Sequence, residues 1–198
     1  MMPADIQWWT NLITAVGVLV AAFTVYQNTL RARKELAVKL INDWANEFTL
    51  SMKHSLALAV SFGESEIKNI ISKPVSTDFQ YQNIREQNVL FILGYSCQWQ
   101  KESIRKLDIE KDKDGVPVRI KLTISQCTAI DSQWSQLLHR VEAILMAWET
   151  RAADRKTIEK QFMPLLRVNE KTFRNFVGAR PGEFPVLENY LKMRLTKS

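Results

Sequence analysis

Two histidines and two cysteines are the side chains best suited to nucleophilic, acid–base or metal chemistry in this 198-residue chain. His54, Cys97, Cys127 and His139 are widely scattered, whereas a metal ion requires ligands gathered at short spacing. Neither an HExxH, a CxxC nor a paired-histidine pattern is present. Cys97 and Cys127 stand 30 positions apart and are expected to be reduced, small apolar side chains. His139 and Glu142 are three residues apart on a strongly periodic helix and can touch. Rotation of ~100° per residue turns His139 away from the apolar stripe into solvent, where nothing shifts its pKa as catalysis requires. Glu142, at the edge of the stripe, is expected to form an interhelical ion pair. GxxxxGK[ST], GxGxxG and GxSxG are absent, so no phosphate-cradling loop or nucleophile elbow is present. These patterns predict no catalytic residues, no metal and no cofactor, and hence no enzyme.

A second kind of chemistry is binding. Arg167, Lys171, Arg174 and Arg180, with Lys192 and Arg194, interleave with Phe173, Phe176, Phe184 and Tyr190. Cations beside aromatic rings can hold single-stranded nucleic acid by phosphate contact and base stacking. The same mixture arises when amphipathic helices bury their rings and solvate their cations, and this second reading is preferred. Charge alone does not separate the two. Residues 1–30 contain no Lys or Arg and one acid, so the remainder carries 27 − 20 = +7. Such a domain is attracted equally to nucleic acid and to an anionic membrane face.

The elements that position these residues begin with an uncharged run from Ile6 to Leu30. As a helix its 25 residues reach ~37 Å, against a hydrocarbon core of ~30 Å. Leu12, Val16, Leu19, Val20 and Phe23 favour insertion, while Trp8 and Trp9 at one end and Tyr26 at the other suit the interface. Arg31, Arg33, Lys34 and Lys39 crowd the exit, which predicts a single span with the N-terminus outside and the C-terminal domain in the cytosol. A cleaved leader would need a basic start, and Met-Met-Pro-Ala-Asp has none. Gly17 and Ala21 share a face on which a second helix could approach.

Beyond the flank, Leu36, Leu40, Trp44, Phe48, Met52, Leu56 and Ala59 continue the helical period, so the anchor is expected to run into the domain as one long helix. Ile67, Ile70 and Ile71 mark a short helix. A long helix is predicted from Thr77 or Asp78 to about Asp108, buried around Val89–Leu93. Lys111–Gly115 reads as a polar turn, and 116–124 as an extended connector or small β-like piece. Ser125–Thr150 is the clearest helix, with Ile130, Trp134, Leu137, Val141, Leu145 and Trp148 on one stripe. Three helices follow: Asp154 to about Val168, Asn169 to Val177 closed by Gly178, and Pro185 to about Leu195. Only six glycines and six prolines argue against a many-stranded sheet.

Leu138–Glu142, Ala153-Asp154, Gln161–Leu165 and Phe173–Arg180 resemble a bacterial family of unknown function built from one N-terminal span and a helical cytosolic domain. The resemblance implies localisation and fold, and offers no catalytic residues. In layout the chain also resembles small membrane accessory proteins of bacterial immune systems, some of which assemble into pores. Helical RNases of the HEPN type carry Arg five to seven positions before His, and neither His54 nor His139 has one there.

The resulting expectation is an all-α protein: a transmembrane anchor over 1–30 continuing into a cytosolic bundle of about five to seven helices over 31–198. It would sit in the bacterial inner membrane, contact lipid, and act through homo-oligomerisation as an interaction or effector module, with pore formation in defence as one form. The alternative is a membrane-tethered RNA- or nucleotide-binding module.

Overall fold

An uninterrupted helical pattern becomes an uninterrupted helix. In the computed structural model α1 runs from Ala4 to Glu47, a length of ~66 Å. The structure describes residues 4–48, 50–72, 77–80, 88–90, 92–93 and 107–195, with the side chains of α1 described from Val16 onward. The anticipated continuity of the apolar run with the domain is therefore present. The stripe does not continue unbroken, since α2 (Leu50–Val60) starts anew after Phe48, and α3 (Glu64–Ser72) follows.

The segment expected to open a long helix at Thr77 forms a strand instead. β1 (Thr77–Gln80), β2 (Asp108–Lys111) and β3 (Pro117–Leu122) make an antiparallel sheet in the order β1-β3-β2. Phe79 pairs with Ile120 in register and lies 5.0 Å from the Phe62 ring, so its burial is decided by partners distant in sequence. Good helix caps at Thr77 and Asp78 carry no information about such partners. Helical residues reappear at 88–90 and 92–93, where Val89, Ile92 and Leu93 are fully buried as expected but Leu90 is exposed; 81–87, 91 and 94–106, Cys97 included, lie outside the described residues. The polar turn at 111–115 is the β2–β3 hairpin. There Asp112 accepts the N–H groups of Asp114 and Val116, and Gly115 supplies φ 78°.

The central helix α4 (Ile124–Glu149) carries the core. Thr123 and Gln126 close a reciprocal capping box at its start. Its Trp134 is fully buried, donates through Nε1 to the Ser55 carbonyl at 3.0 Å, and meets Phe176 edge-on at 5.2 Å. The helix predicted over 154–168 is two, α5 (Arg155–Gln161) and α6 (Met163–Val168), because Pro164 brings no N–H to bond back one turn. α7 (Glu170–Ala179) passes through Gly178 rather than stopping there; a Cβ at Gly178 would lie 2.5 Å from the Glu64 carboxyl. α8 (Pro185–Leu195) starts at the proline, as its fixed φ favours. The predominantly helical fold is thus as expected, with one small sheet added.

Candidate functional site

The two halves of α1 have different surroundings. From Val16 to Tyr26 every side chain is exposed, whichever way it points, including Leu19 at 68%, Phe23 at 62% and Val25 at 65%. A helix apolar on all sides needs an apolar surrounding, and the domain does not supply one. Six of these residues (Val16, Val18, Leu19, Val20, Phe23 and Val25) at ~0.3–0.6 kcal/mol each favour transfer to hydrocarbon by roughly 2–4 kcal/mol. The two threonines of the arm bond its own backbone. Thr24 donates to the Val20 carbonyl and Thr29 to the Val25 carbonyl, both at 2.8 Å, so neither hydroxyl needs water. Gly17 and Ala21 are exposed on this arm, and a Cβ at Gly17 would meet nothing within 4 Å.

Among the described residues, no helix is long and apolar enough to cross a membrane. Val16–Leu30 contributes 15 uncharged residues, or ~22 Å, short of the ~30 Å core. The expected full span over 6–30 is therefore not shown by these residues. Trp8, Trp9 and Leu12, which would complete it, belong to α1, but their side chains lie outside the described residues.

Past the basic flank α1 enters the domain. Arg31, Arg33 and Lys34 remain exposed, whereas Ala37 is fully buried, and Leu40, Ile41, Trp44 and Phe48 are half-buried against the core. Trp44 packs edge-on to Phe162 at 5.2 Å. The joint is fixed by the backbone as well: the Asp154 N–H donates to the Arg33 carbonyl at 3.0 Å, tying the α4–α5 corner to α1. Asp154 caps α5, accepting from the Thr157 hydroxyl at 2.7 Å and the Thr157 N–H at 2.9 Å. Those bonds, with Lys34 and Lys156 nearby, hold its carboxyl below the ordinary 3.8. A shallow hollow beside this joint is lined by Lys34, Glu35, Val38, Lys39, Asn42 and Asp43. All six come from α1, so they cannot surround a substrate.

The other candidates separate. Phe173, Phe176 and Phe184 are in the core and Tyr190 is nearly so, leaving no exposed ring among them on which a base could stack. Arg180 is buried and ion-paired to Asp131, with further bonds to Ser135 at 2.9 Å and Glu183 at 3.0 Å. Arg174 bonds Glu170 at 2.6 Å and the Leu191 carbonyl at 2.8 Å, tying α7 to α8. Arg167 and Lys171 are exposed. The rings of this stretch are turned inward, in keeping with the preferred reading, while Arg174 and Arg180 brace neighbouring helices.

No family model matches the chain, and neither does any curated protein or solved structure. Function must be argued from the residues themselves.

His139 faces solvent as expected, with its ring edge-on to Phe184 at 5.2 Å. Among the described residues Glu142 does not form the anticipated ion pair. It is buried and accepts the N–H groups of Val186 and Leu187 at 2.8 Å each, capping α8 from another helix. A signal for this was available: Phe184 precedes Pro185, so α8 has no side-chain cap of its own and its first N–H groups need an outside acceptor. Among the described residues no group of three or more His, Cys, Asp or Glu could hold a metal ion.

Proposed function

We propose that this chain is a single-span, membrane-anchored helical interaction or effector protein whose domain lies against the cytosolic face of a bacterial inner membrane. The observation that carries the reading is the all-round apolar exposure of Val16–Tyr26 on a helix whose continuation is built into a folded core. Residues 6–15 would complete the ~30 Å that the bilayer requires. The exit cations Arg31, Arg33 and Lys34 set the orientation by the positive-inside rule, with the N-terminus outside.

Homo-oligomerisation follows as the mode of action. Gly17 and Ala21 are four apart on the arm and allow close helix–helix approach in lipid. A ring of such arms would form a pore, in keeping with the layout shared with membrane accessory proteins of bacterial immune systems. The alternative, a tethered binder of RNA or nucleotide, is less supported because Phe173, Phe176, Phe184 and Tyr190 are enclosed.

The test is sodium carbonate extraction of the expressed full-length chain, followed by light scattering of the detergent-solubilised protein. Retention in the membrane and a discrete multimeric mass are expected. Release by carbonate would overturn the anchor. A monomeric mass would overturn the oligomeric mechanism and leave the chain as a tether.

A further inference from the structure

The corner between α4 and α5 places cations where the fold itself disfavours them. Arg151 follows the end of α4 at φ 59°, in the left-handed region where glycine is the residue without steric penalty. Its side chain is exposed. Lys156 is exposed in the first turn of α5, at the positive end of the helix dipole, a position that favours acids. Neither the backbone at Arg151 nor the dipole at Lys156 calls for a cation, although Lys156 also lies near the Asp154 carboxylate.

Arg155 is held differently. Its guanidinium lies 4.8 Å from the Trp148 ring centroid and bonds the Trp148 carbonyl at 2.9 Å, fastening α5 to the end of α4. It orients the corner, leaving Arg151 and Lys156 to face outward.

Height along α1 gives the corner a purpose. Asp154 bonds the Arg33 carbonyl, three residues beyond Leu30, a rise of ~4.5 Å past the end of the uncharged run. The polar layer on each side of a bilayer is ~5–8 Å thick. A corner at this height lies at headgroup depth whenever α1 is inserted. There Arg151, Arg155 and Lys156 join Arg31, Arg33 and Lys34, six cations against the carboxylates of Glu35, Glu149, Asp154 and Glu159.

We propose that the α4–α5 corner is a second, tertiary contact for anionic phospholipid headgroups, with Arg151 and Lys156 engaging their phosphates and so fixing the domain against the leaflet. The contact rests on the membrane reading above. It adds a surface remote in sequence from the anchor and makes the domain's posture depend on lipid charge.

Hydrogen exchange of the full-length chain in nanodiscs of phosphatidylcholine, with and without phosphatidylglycerol, tests it. Amides 150–156 should exchange several-fold more slowly in the anionic discs, and 0.5 M salt should remove the difference. The double variant Arg151→Gly/Lys156→Glu should lose the protection, about fivefold for each cation removed. Arg151→Gly alone should melt about 2 °C higher, since glycine suits the left-handed backbone there. Equal exchange in the two kinds of disc would overturn the corner contact while leaving the anchor intact. Failure of the chain to enter either disc would overturn the anchor, and the corner contact with it. Lower stability in Arg151→Gly would show that this cation serves the fold and would also overturn the proposal.

Discussion

The N-terminal and C-terminal parts of α1 share one backbone and solve opposite problems. Val16–Tyr26 is apolar on every side and uncovered, whereas 37–48 places Ala37, Leu40, Ile41, Trp44 and Phe48 toward the core and Lys39 and Asp43 outward. One-sided periodicity marks a helix whose partner is in the same chain. All-round apolarity marks one whose partner is outside it. The change falls at Arg31–Lys34, where the exit cations and the backbone bond from Asp154 meet.

Damage to one region should leave the other alone. The largest expected effect is in the domain: Trp134→Ala removes a fully buried ring and its bond to the Ser55 carbonyl, and should cost about 3–5 kcal/mol. Urea unfolding in detergent would measure it, while carbonate resistance should be unchanged. Loss of carbonate resistance would mean that the arm depends on the folded domain.

The converse change is Leu19→Arg. A cation in the middle of a span opposes insertion by about 2.5–3.5 kcal/mol. Because Leu19 is exposed in the fold, the urea midpoint of the domain should move by less than the equivalent of about 0.5 kcal/mol. Membrane fractionation and unfolding of the same variant give both readings. A destabilised domain with normal fractionation would reverse the assignment of the arm.

Glu142→Ala should cost about 1–3 kcal/mol by leaving the N–H groups of Val186 and Leu187 without their acceptor. Exchange should accelerate at the start of α8 before elsewhere. A uniform loss would mean that Glu142 supports the whole core and not chiefly that terminus.

Asp154→Ala has the smallest effect, about 1 kcal/mol, the usual value of an N-cap. Since the folded carboxyl titrates below 3.8, its contribution is complete above that value and is lost as pH falls through the folded pKa. Parent and variant should therefore differ in urea midpoint at pH 7 and converge in strong acid. A difference that persisted there would make the contribution of Asp154 something other than its charge-assisted cap.

Much of this division can be read from residue order. The uncharged run, the cations that end it, and the period of α4 are local, so helix type and the position of the change in α1 needed no partner. Trp134, Leu137, Val141 and Leu145 were legible as a buried stripe because spacing on a helix determines which residues share a face. β3 was partly legible, as 116–124 reads as an extended connector or small β-like piece, but its pairing was not, since Phe79 is placed by Ile120 across 41 positions. At 167–194 the preferred reading, with rings buried, agrees with the structure, but which partner covers them was not legible. Periodicity shows that Phe173 and Phe176 lie on one face, but a single sequence does not say whether that face meets solvent or α4.

Residue order by itself determined the uncharged arm, its basic exit and the helical character of most of the chain, because these depend on neighbours within a turn or two. Tertiary structure alone decided that Glu142 caps α8, that Arg180 is an internal brace, and that Asp154 is bonded to the Arg33 carbonyl of the basic flank. Each joins residues dozens of positions apart, and only the packing of one core could choose those partners.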